Sequence, residues 1–394
     1  MKTIKDYNFS GRRALIRVDF NVPLDQSFNV TDNTRIKATI PTIKKILKDG
    51  GSCILMSHLG RPKNGHETKY SLKHTISTIE KLLGIKVDFV DDCIGQEAKT
   101  KSLALKAGQV LLLENLRFYK EEEKGDLPFA EKLSKLGTIY VNDAFGTAHR
   151  AHASTTIIAQ FFEDKCAGLI MESELENAKR VVENVENPFT AILGGAKISD
   201  KILLIEKLID RVNNIIIGGG MAYTFLKAQG CSVGNSMVEN DKLDLAKRLI
   251  EKAKDKGVEF HLPLDSIIAD KFDANANTKI SSNKTIPDGW LGLDIGPKTC
   301  EQFNKIIESS KTILWNGPMG VFEMKLFEGG TKSVAVSIAN ATKKGAFSLI
   351  GGGDSVAAIS KFGLTDKVSY VSTGGGALLE YFEGKELPGV VALS

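Results

Sequence analysis

The feature that most constrains this chain is a rhythm. Short runs of apolar, strand-forming residues alternate with segments of helical period from one end to the other. In the first half the pattern predicts strands at 14–20, 53–57, 87–90, 110–114 and 138–142, with helices at 35–48, 71–83 and 128–136. It then restarts, predicting strands at 190–193, 214–218, 259–263, 312–315, 347–351 and 368–372, with helices after most of them. Continuous apolar runs fit strands covered on both faces, and strands separated by helices join as parallel βα units. The expected fold is α/β, with two doubly wound parallel-sheet domains of similar size. A length of 394 residues, at about 150 per domain, agrees. The boundary is expected between 168 and 185, giving domains 1–170 and 171–386, with a charged connecting helix at 171–184. Residues 264–297, rich in Asn, Asp, Gly and Lys, break the alternation and read as an irregular or hairpin insertion.

Basic and small residues are divided unevenly between the halves. Residues 1–168 carry a net +6 and the remainder −2, and seven of the ten arginines lie in the first 150 positions. No dense Lys/Arg run accompanies this bias, so an anionic small ligand is favoured over nucleic acid. The five cysteines, Cys53, Cys93, Cys166, Cys231 and Cys300, are far apart and make no C-x-x-C pair. That spacing argues against a zinc site and for reduced thiols in a cytoplasm. The N-terminal residues lack the apolar core of a signal peptide, and no apolar stretch is long enough to span a membrane.

In open parallel sheets ligands gather at the carboxyl ends of the strands, so the residues after each strand matter most. Asp19 and Asn21 follow the first strand, where they either bind hydroxyls or satisfy a turn. His58 and Arg61 flank a Gly-Pro turn after the second, Arg117 follows the fourth and Arg150 follows the fifth, while Arg35 opens the first helix. Guanidinium forks match phosphate and carboxylate, and four of them converging on one crevice read as an anion site. His149 and His152 are mixed with arginine, which disfavours a metal there.

The second half has glycine where the first has arginine. Gly194–Lys201, Gly218–Gly220, Gly351–Ser355 and Gly374–Gly376 each follow a strand and are expected to open a helix, bringing backbone amides close to a phosphate. Lys197 and Lys201 are expected on one helix face. Asp354 is either a helix N-cap or a carboxylate for Mg²⁺. Walker, dinucleotide-binding, protein-kinase and serine-hydrolase signatures are all absent.

Several strings go beyond generic physics. Residues 17–23 (RVDFNVP), 57–62 (SHLGRP), 114–118 (ENLRF) and 142–155 (NDAFGTAHRAHAST) resemble phosphoglycerate kinases in order and spacing. So do 194–201 (GGAKISDK), 217–222 (IGGGMA), 315–323 (WNGPMGVFE), 350–355 (IGGGDS) and 372–380 (STGGGALLE). The resemblance implies two Rossmann-like domains joined by a hinge helix, with residues 387–394 packing back on the first. It implies reversible phosphoryl transfer from 1,3-bisphosphoglycerate to MgADP, giving 3-phosphoglycerate and MgATP, in glycolysis and gluconeogenesis, by in-line transfer on domain closure. By the same resemblance Asp19, Phe20, Asn21, Arg35, His58, Leu59, Gly60, Arg61, Arg117 and Arg150 bind the triose. Gly195, Ala196, Lys201, Gly218, Gly219, Gly220, Gly292, Asn316, Pro318, Glu323, Gly351, Gly352, Gly353, Asp354 and Ser355 bind nucleotide. Arg35, Lys197 and Gly375 act on the migrating phosphoryl group, and Asp354 holds Mg²⁺ through the nucleotide. The insertion at 272–286, the least family-like part, is expected to bear on nothing catalytic. A cytoplasmic monomer without nucleic-acid or membrane partners is expected.

Overall fold

The computed structural model describes all 394 residues, which divide into two compact units: Met1–Glu176 with Glu386–Ser394, and Asn177–Lys385. The first unit contains β1 (Arg13–Arg17), α1 (Thr34–Lys48), β2 (Ser52–Met56), α2 (Ile76–Leu83), β3 (Asp88–Val90) and α3 (Gln96–Ala104). After these come β4 (Val110–Leu113), α4 (Lys120–Lys124), α5 (Leu127–Ser134), β5 (Ile139–Asn142), β6 (Lys165–Ala167) and the start of α6 (Leu169–Val182). All six strands are parallel, in the order β3-β4-β2-β1-β5-β6. β2, β4 and β5 are buried at every position, as the apolar runs require of strands covered on both faces. Chain order reverses between β1 and β5, so the loops after these strands border the crevice where such sheets bind ligands.

β6 and α3 are among the elements of this unit that escape the sequence pattern. β6 is three residues, Lys-Cys-Ala, too short to show a period, and gains its place by pairing with β5. α3 is polar at most positions and buries only Ala98 and Ser102. The expected helix at 71–83 is divided: Leu72–Thr75 is a 3₁₀ turn and α2 begins at Ile76. α6 has Gly168 before it, which offers no capping side chain. Instead Asp143, just after β5, accepts the Ile170 amide at 2.8 Å, and Thr42 Oγ1 accepts that of Leu169 at 3.0 Å. The last residues complete this unit, with Leu387 and Leu393 buried and the Gly389 amide donating to the Ala148 carbonyl.

The second unit continues with β7 (Phe189–Leu193), α7 (Ile202–Leu208), β8 (Asn214–Ile217), α8 (Met221–Ala228), β9 (Ser232–Val233), α9 (Leu243–Asp255) and β10 (Glu259–His261). Next are β11 (Asp265–Ala269), β12 (Thr278–Ser282), β13 (Thr285–Ile286), β14 (Leu291–Ile295), α10 (Pro297–Ser309) and β15 (Thr312–Asn316). It ends with α11 (Gly329–Lys343), β16 (Phe347–Gly351), α12 (Gly353–Lys361), β17 (Tyr370–Val371) and α13 (Gly376–Phe382), ahead of α14 (Pro388–Val391) in the first unit. Its parallel sheet runs β10-β8-β7-β15-β16-β17, with the reversal between β7 and β15. Trp315 on β15 is fully buried among Phe303, Ile313 and Phe322. Within this unit the Arg180 guanidinium, near the end of α6, lies 3.9 Å from the Phe347 ring centroid.

The segment expected to be an irregular or hairpin insertion is more ordered than that. β11, β12 and β14 form a three-stranded antiparallel sheet with a bulge at Ile267/Ile268, and β13 pairs in parallel with β9. Polar alternation hid it, because one face of an antiparallel sheet can face water.

Asp294, on β14, is buried and accepts the amides of Ile295 (2.9 Å) and Gly330 (2.7 Å). Burial pushes its carboxyl up to about 7, against those two amides. The folded chain therefore holds this proton more tightly than the unfolded chain, and the associated stability is lost as pH rises from about 4 to about 7. The urea midpoint of Asp294→Asn, taken relative to wild type, is expected to climb across that interval. A constant difference would show that Asp294 ionises normally.

Candidate active site

The loops at the carboxyl end of the first sheet bring most of the predicted side chains together. Arg35, at the start of α1, forms a 2.7 Å ion pair with Asp19. The Asn21 side-chain oxygen Oδ1 accepts the Gly60 amide at 2.9 Å, which ties the loop after β1 to the loop after β2. The turn reading therefore holds for the Asn21 oxygen, whose amide group is left for a ligand. Gly60 has φ of 63°, and any side chain there would collide with the Tyr70 ring.

Arg117 is set by its neighbours. Asn115 donates to the carbonyls of Leu59 (2.7 Å) and Tyr70 (2.8 Å) and accepts the Arg117 amide (3.0 Å). Arg117 Nη1 donates to the Gly60 carbonyl at 3.0 Å, and Nε lies 3.1 Å from Glu123. Nη2 is buried without a partner, a donor that suits an anion oxygen.

The electrostatics of these loops are cationic. Burial holds the His58 pKa well below the usual imidazole range, and Arg17, Arg117, Arg150 and Arg35 lower it further. His152 is brought down to about 4 by burial and then by Arg117, Arg150 and Arg17. Neutral imidazoles amid guanidiniums donate or accept without adding charge.

Three predicted residues have other surroundings. Phe20 and Leu59 belong to the hydrophobic core, so only their backbone can reach a ligand. Arg61 is exposed beyond the Gly60 turn, apart from the guanidiniums that act most strongly on His58. The sequence reading also passed over Arg17. It follows the apolar run Ala14–Ile16 of β1 and is 1% exposed, and charge at the end of a buried run was the signal that could have found it.

The second unit carries two cavities at the carboxyl end of its sheet. One, of about 340 Å³, is lined by Gly194–Lys197, Asp200, Lys201, Asn316, Gly317, Gly352–Ser355, Gly375, Gly376 and Leu379. The other, of about 510 Å³, shares Gly195, Ala196 and Asp354 with the first. It adds Gly219, Gly220, Gly292, Pro318, Glu323 and apolar Tyr223, Met237, Phe272, Leu291, Leu293, Met319, Val321 and Met324. A cavity lined by Lys201, Asn316, Asp354 and Ser355, contiguous with an apolar one, suits a phosphate chain attached to an aromatic base.

Several expectations are corrected here. α7 begins at Ile202, so Lys197 and Lys201 stand in the turn before it and share no helix face. Lys197 is exposed, while the Lys201 ammonium donates to the Asn316 side-chain oxygen. Burial lowers the Lys201 pKa, and Asp200 and Asp354 oppose it. Asp354 is no N-cap: Gly352 takes that position, and Asp354 lies exposed in the first turn of α12. Gly218 and Gly351 sit behind the cavity walls, against Met319 and Leu378. Ser355 Oγ accepts the Gly317 amide at 2.6 Å. Phe272 lines the larger cavity, so the insertion does bear on the site.

The glycine runs also do something other than expected. The amides of Gly194, Gly195, Gly218 and Gly219 already donate to the carbonyls of Asn316, Pro318, Leu193 and Met319. A methyl group on Gly194 would collide with the Pro318 carbonyl oxygen and come within 2.6 Å of that of Gly317. One on Gly219 would come within 2.5 Å of the Gly195 oxygen. These glycines let the loops after β7, β8 and β15 interlock.

Asp354 is the carboxylate that both cavities share, and nowhere in the chain do three or more His, Cys, Asp or Glu cluster as metal ligands. One hard oxygen donor beside a phosphate site fits Mg²⁺, which commonly binds through one or two carboxylates and substrate phosphates.

An arginine-rich rim on one parallel sheet and glycine-walled cavities on a second define a two-domain α/β protein of the small-molecule kinase class. The family model described as phosphoglycerate kinase matches residues 4–385. A phosphoglycerate kinase of Porphyromonas gingivalis is 53% identical, with 99% of each chain covered. A cytosolic one of Nicotiana tabacum is 53% identical over 99% of this chain and 97% of its own. The solved phosphoglycerate kinase of Coxiella burnetii superposes with a TM-score of 0.90 at 41% identity, covering 99% of this chain and 98% of its own. The chain belongs to the phosphoglycerate kinase family.

Gly194→Ala is expected to cost about 1–3 kcal/mol by forcing the interlocked loops apart. Gly353→Ala, where an added methyl meets nothing within 4 Å, should stay within about 0.5 kcal/mol. Equal urea midpoints for the two variants would refute the interlock.

Proposed function

We propose that the chain catalyses reversible phosphoryl transfer from 1,3-bisphosphoglycerate to ADP, giving 3-phosphoglycerate and ATP. The observation that carries this reading is the family match over residues 4–385, in a chain whose two units hold an arginine-rich rim and nucleotide-sized cavities. Arg117, with its unpartnered Nη2, holds the phosphate that is not transferred, together with His58, Arg61 and Arg150. Asp19 and Asn21 bind the glycerate end, with the backbone of Phe20, Leu59 and Gly60 shaping that pocket. On the other unit the apolar cavity takes the adenine base, with Gly292 and Pro318 in its wall and Glu323 on the ribose. Lys201 and the amides at the start of α12 hold the nucleotide phosphates.

The reaction breaks the bond between the acyl oxygen and phosphorus and forms one to the terminal oxygen of ADP. No protein nucleophile is required. What the chain supplies is alignment, neutralised charge and exclusion of water. Arg35 and exposed Lys197 flank the migrating group, and the backbone at Gly375 donates to it. Mg²⁺, when bound with the nucleotide at Asp354, neutralises phosphate charge. Transfer in line requires the two bound substrates to meet, so we infer that the units close during turnover about α6, as a monomer. Five free cysteines support a cytoplasmic setting.

A coupled assay with 3-phosphoglycerate and MgATP is expected to release ADP; no turnover by folded protein would overturn the reading. Arg35→Ala should lower kcat by roughly 10³, as for arginines at transferring phosphoryl groups. Arg117→Ala should instead raise KM for 3-phosphoglycerate with kcat nearly kept, by losing a contact made in ground and transition states alike. An effect confined to KM for ATP would place Arg117 in the wrong site.

A further inference from the structure

A guanidinium buried at the end of β1 needs both an anion and an acceptor for each of its faces. Arg17 reaches its anion through a chain of two bonds. Its Nε donates to Ser154 Oγ at 2.9 Å, and Ser154 Oγ donates in turn to Glu122 Oε1 at 2.6 Å. The other Glu122 oxygen accepts the Ser154 amide at 3.0 Å. All three residues are buried. Arg17 Nη1 donates to the Val18 carbonyl, and Nη2 lies 3.1 Å from His58 Nδ1.

That last contact has only one chemical reading. A guanidinium has donors and no acceptor, so Nδ1 of His58 must accept and carry no proton. The proton of the neutral ring then sits on Nε2. We propose that Glu122, Ser154 and Arg17 are positioning residues that fix His58 as a neutral ring donating through Nε2 to the substrate's non-transferred phosphate. This rests on reading these loops as the phosphoglycerate site. The charged groups that act most strongly on His58 are cations: Arg17 from β1, Arg117 from the turn after β4, Arg150 from the loop after β5 and Arg35 from α1. Burial first, and then these cations, keep a second proton off the ring, so the donor is the same across the physiological range. Glu122 is the counter-charge that lets Arg17 remain buried, although it lies on α4 and touches no substrate.

Two measurements test the relay. A two-bond proton–nitrogen correlation spectrum of the wild-type chain, taken without substrate, should show His58 with bare Nδ1 and protonated Nε2, unchanged from about pH 5 to pH 8. A ring that titrates in that interval, or carries its proton on Nδ1, would overturn the proposal whether or not the enzyme turns over. Glu122→Gln and the milder Ser154→Ala are each expected to raise KM for 3-phosphoglycerate about tenfold, the scale of one charged hydrogen bond. They should keep kcat within about twofold, leave KM for ATP unchanged and blur the His58 tautomer in the spectrum. A folded Ser154→Ala chain with wild-type KM and a wild-type His58 spectrum would show that the relay is only structural packing.

Discussion

Both sheets are covered on both faces, and that burial governs everything else. A strand such as Val110–Leu113 has no solvent on either side, so charged side chains must wait until the strand ends. The loops at the carboxyl ends then collect nearly all the chemistry, on each sheet around the point where chain order reverses. Arg17 is the exception that tests this constraint. It enters the buried region with its charge and is tolerated because Ser154, Glu122, the Val18 carbonyl and His58 satisfy its guanidinium.

On the proposed reading the two units meet the same demand, anion binding, by different means. The first uses side chains: Arg35, Arg117 and Arg150, with neutral histidines filling the space between them. Guanidinium forks can be aimed by a few hydrogen bonds, as the Gly60 carbonyl aims Arg117. The second uses backbone, and for that its loops must approach one another closely. Gly194, Gly219 and Gly317 are therefore as much packing residues as binding residues, because no side chain fits where those loops cross. The resulting walls also hold Lys201, in the first cavity, and Asp354, which the two cavities share.

Much of this was legible in the chain. The apolar runs located ten of the twelve strands of the two parallel sheets close to their observed places, missing β6 and centring the last one broadly. Post-strand arginines marked the anion site because a charged residue just past a buried run has few structural uses. What stayed hidden had no local period or composition to reveal it. β6 is three residues long, α3 is polar, and the antiparallel sheet alternates like a loop rich in polar residues. Phe272 joins the larger cavity from an insertion whose composition points nowhere in particular.

Sequence alone determined the strand-and-helix order, the split between an arginine-bearing half and a glycine-bearing half, and, through long matching strings, the family. These are properties of residue type and spacing, which a linear chain carries intact. Only the tertiary structure decided which groups are already engaged. It gave the Asn21 oxygen to Gly60, placed Lys197 and Lys201 in a turn, removed Asp354 from a capping role and set Arg17 against His58. Hydrogen-bond partners far apart in sequence, 41 residues apart for Arg17 and His58, meet only when strands pair. The state of a buried side chain follows from whom it meets.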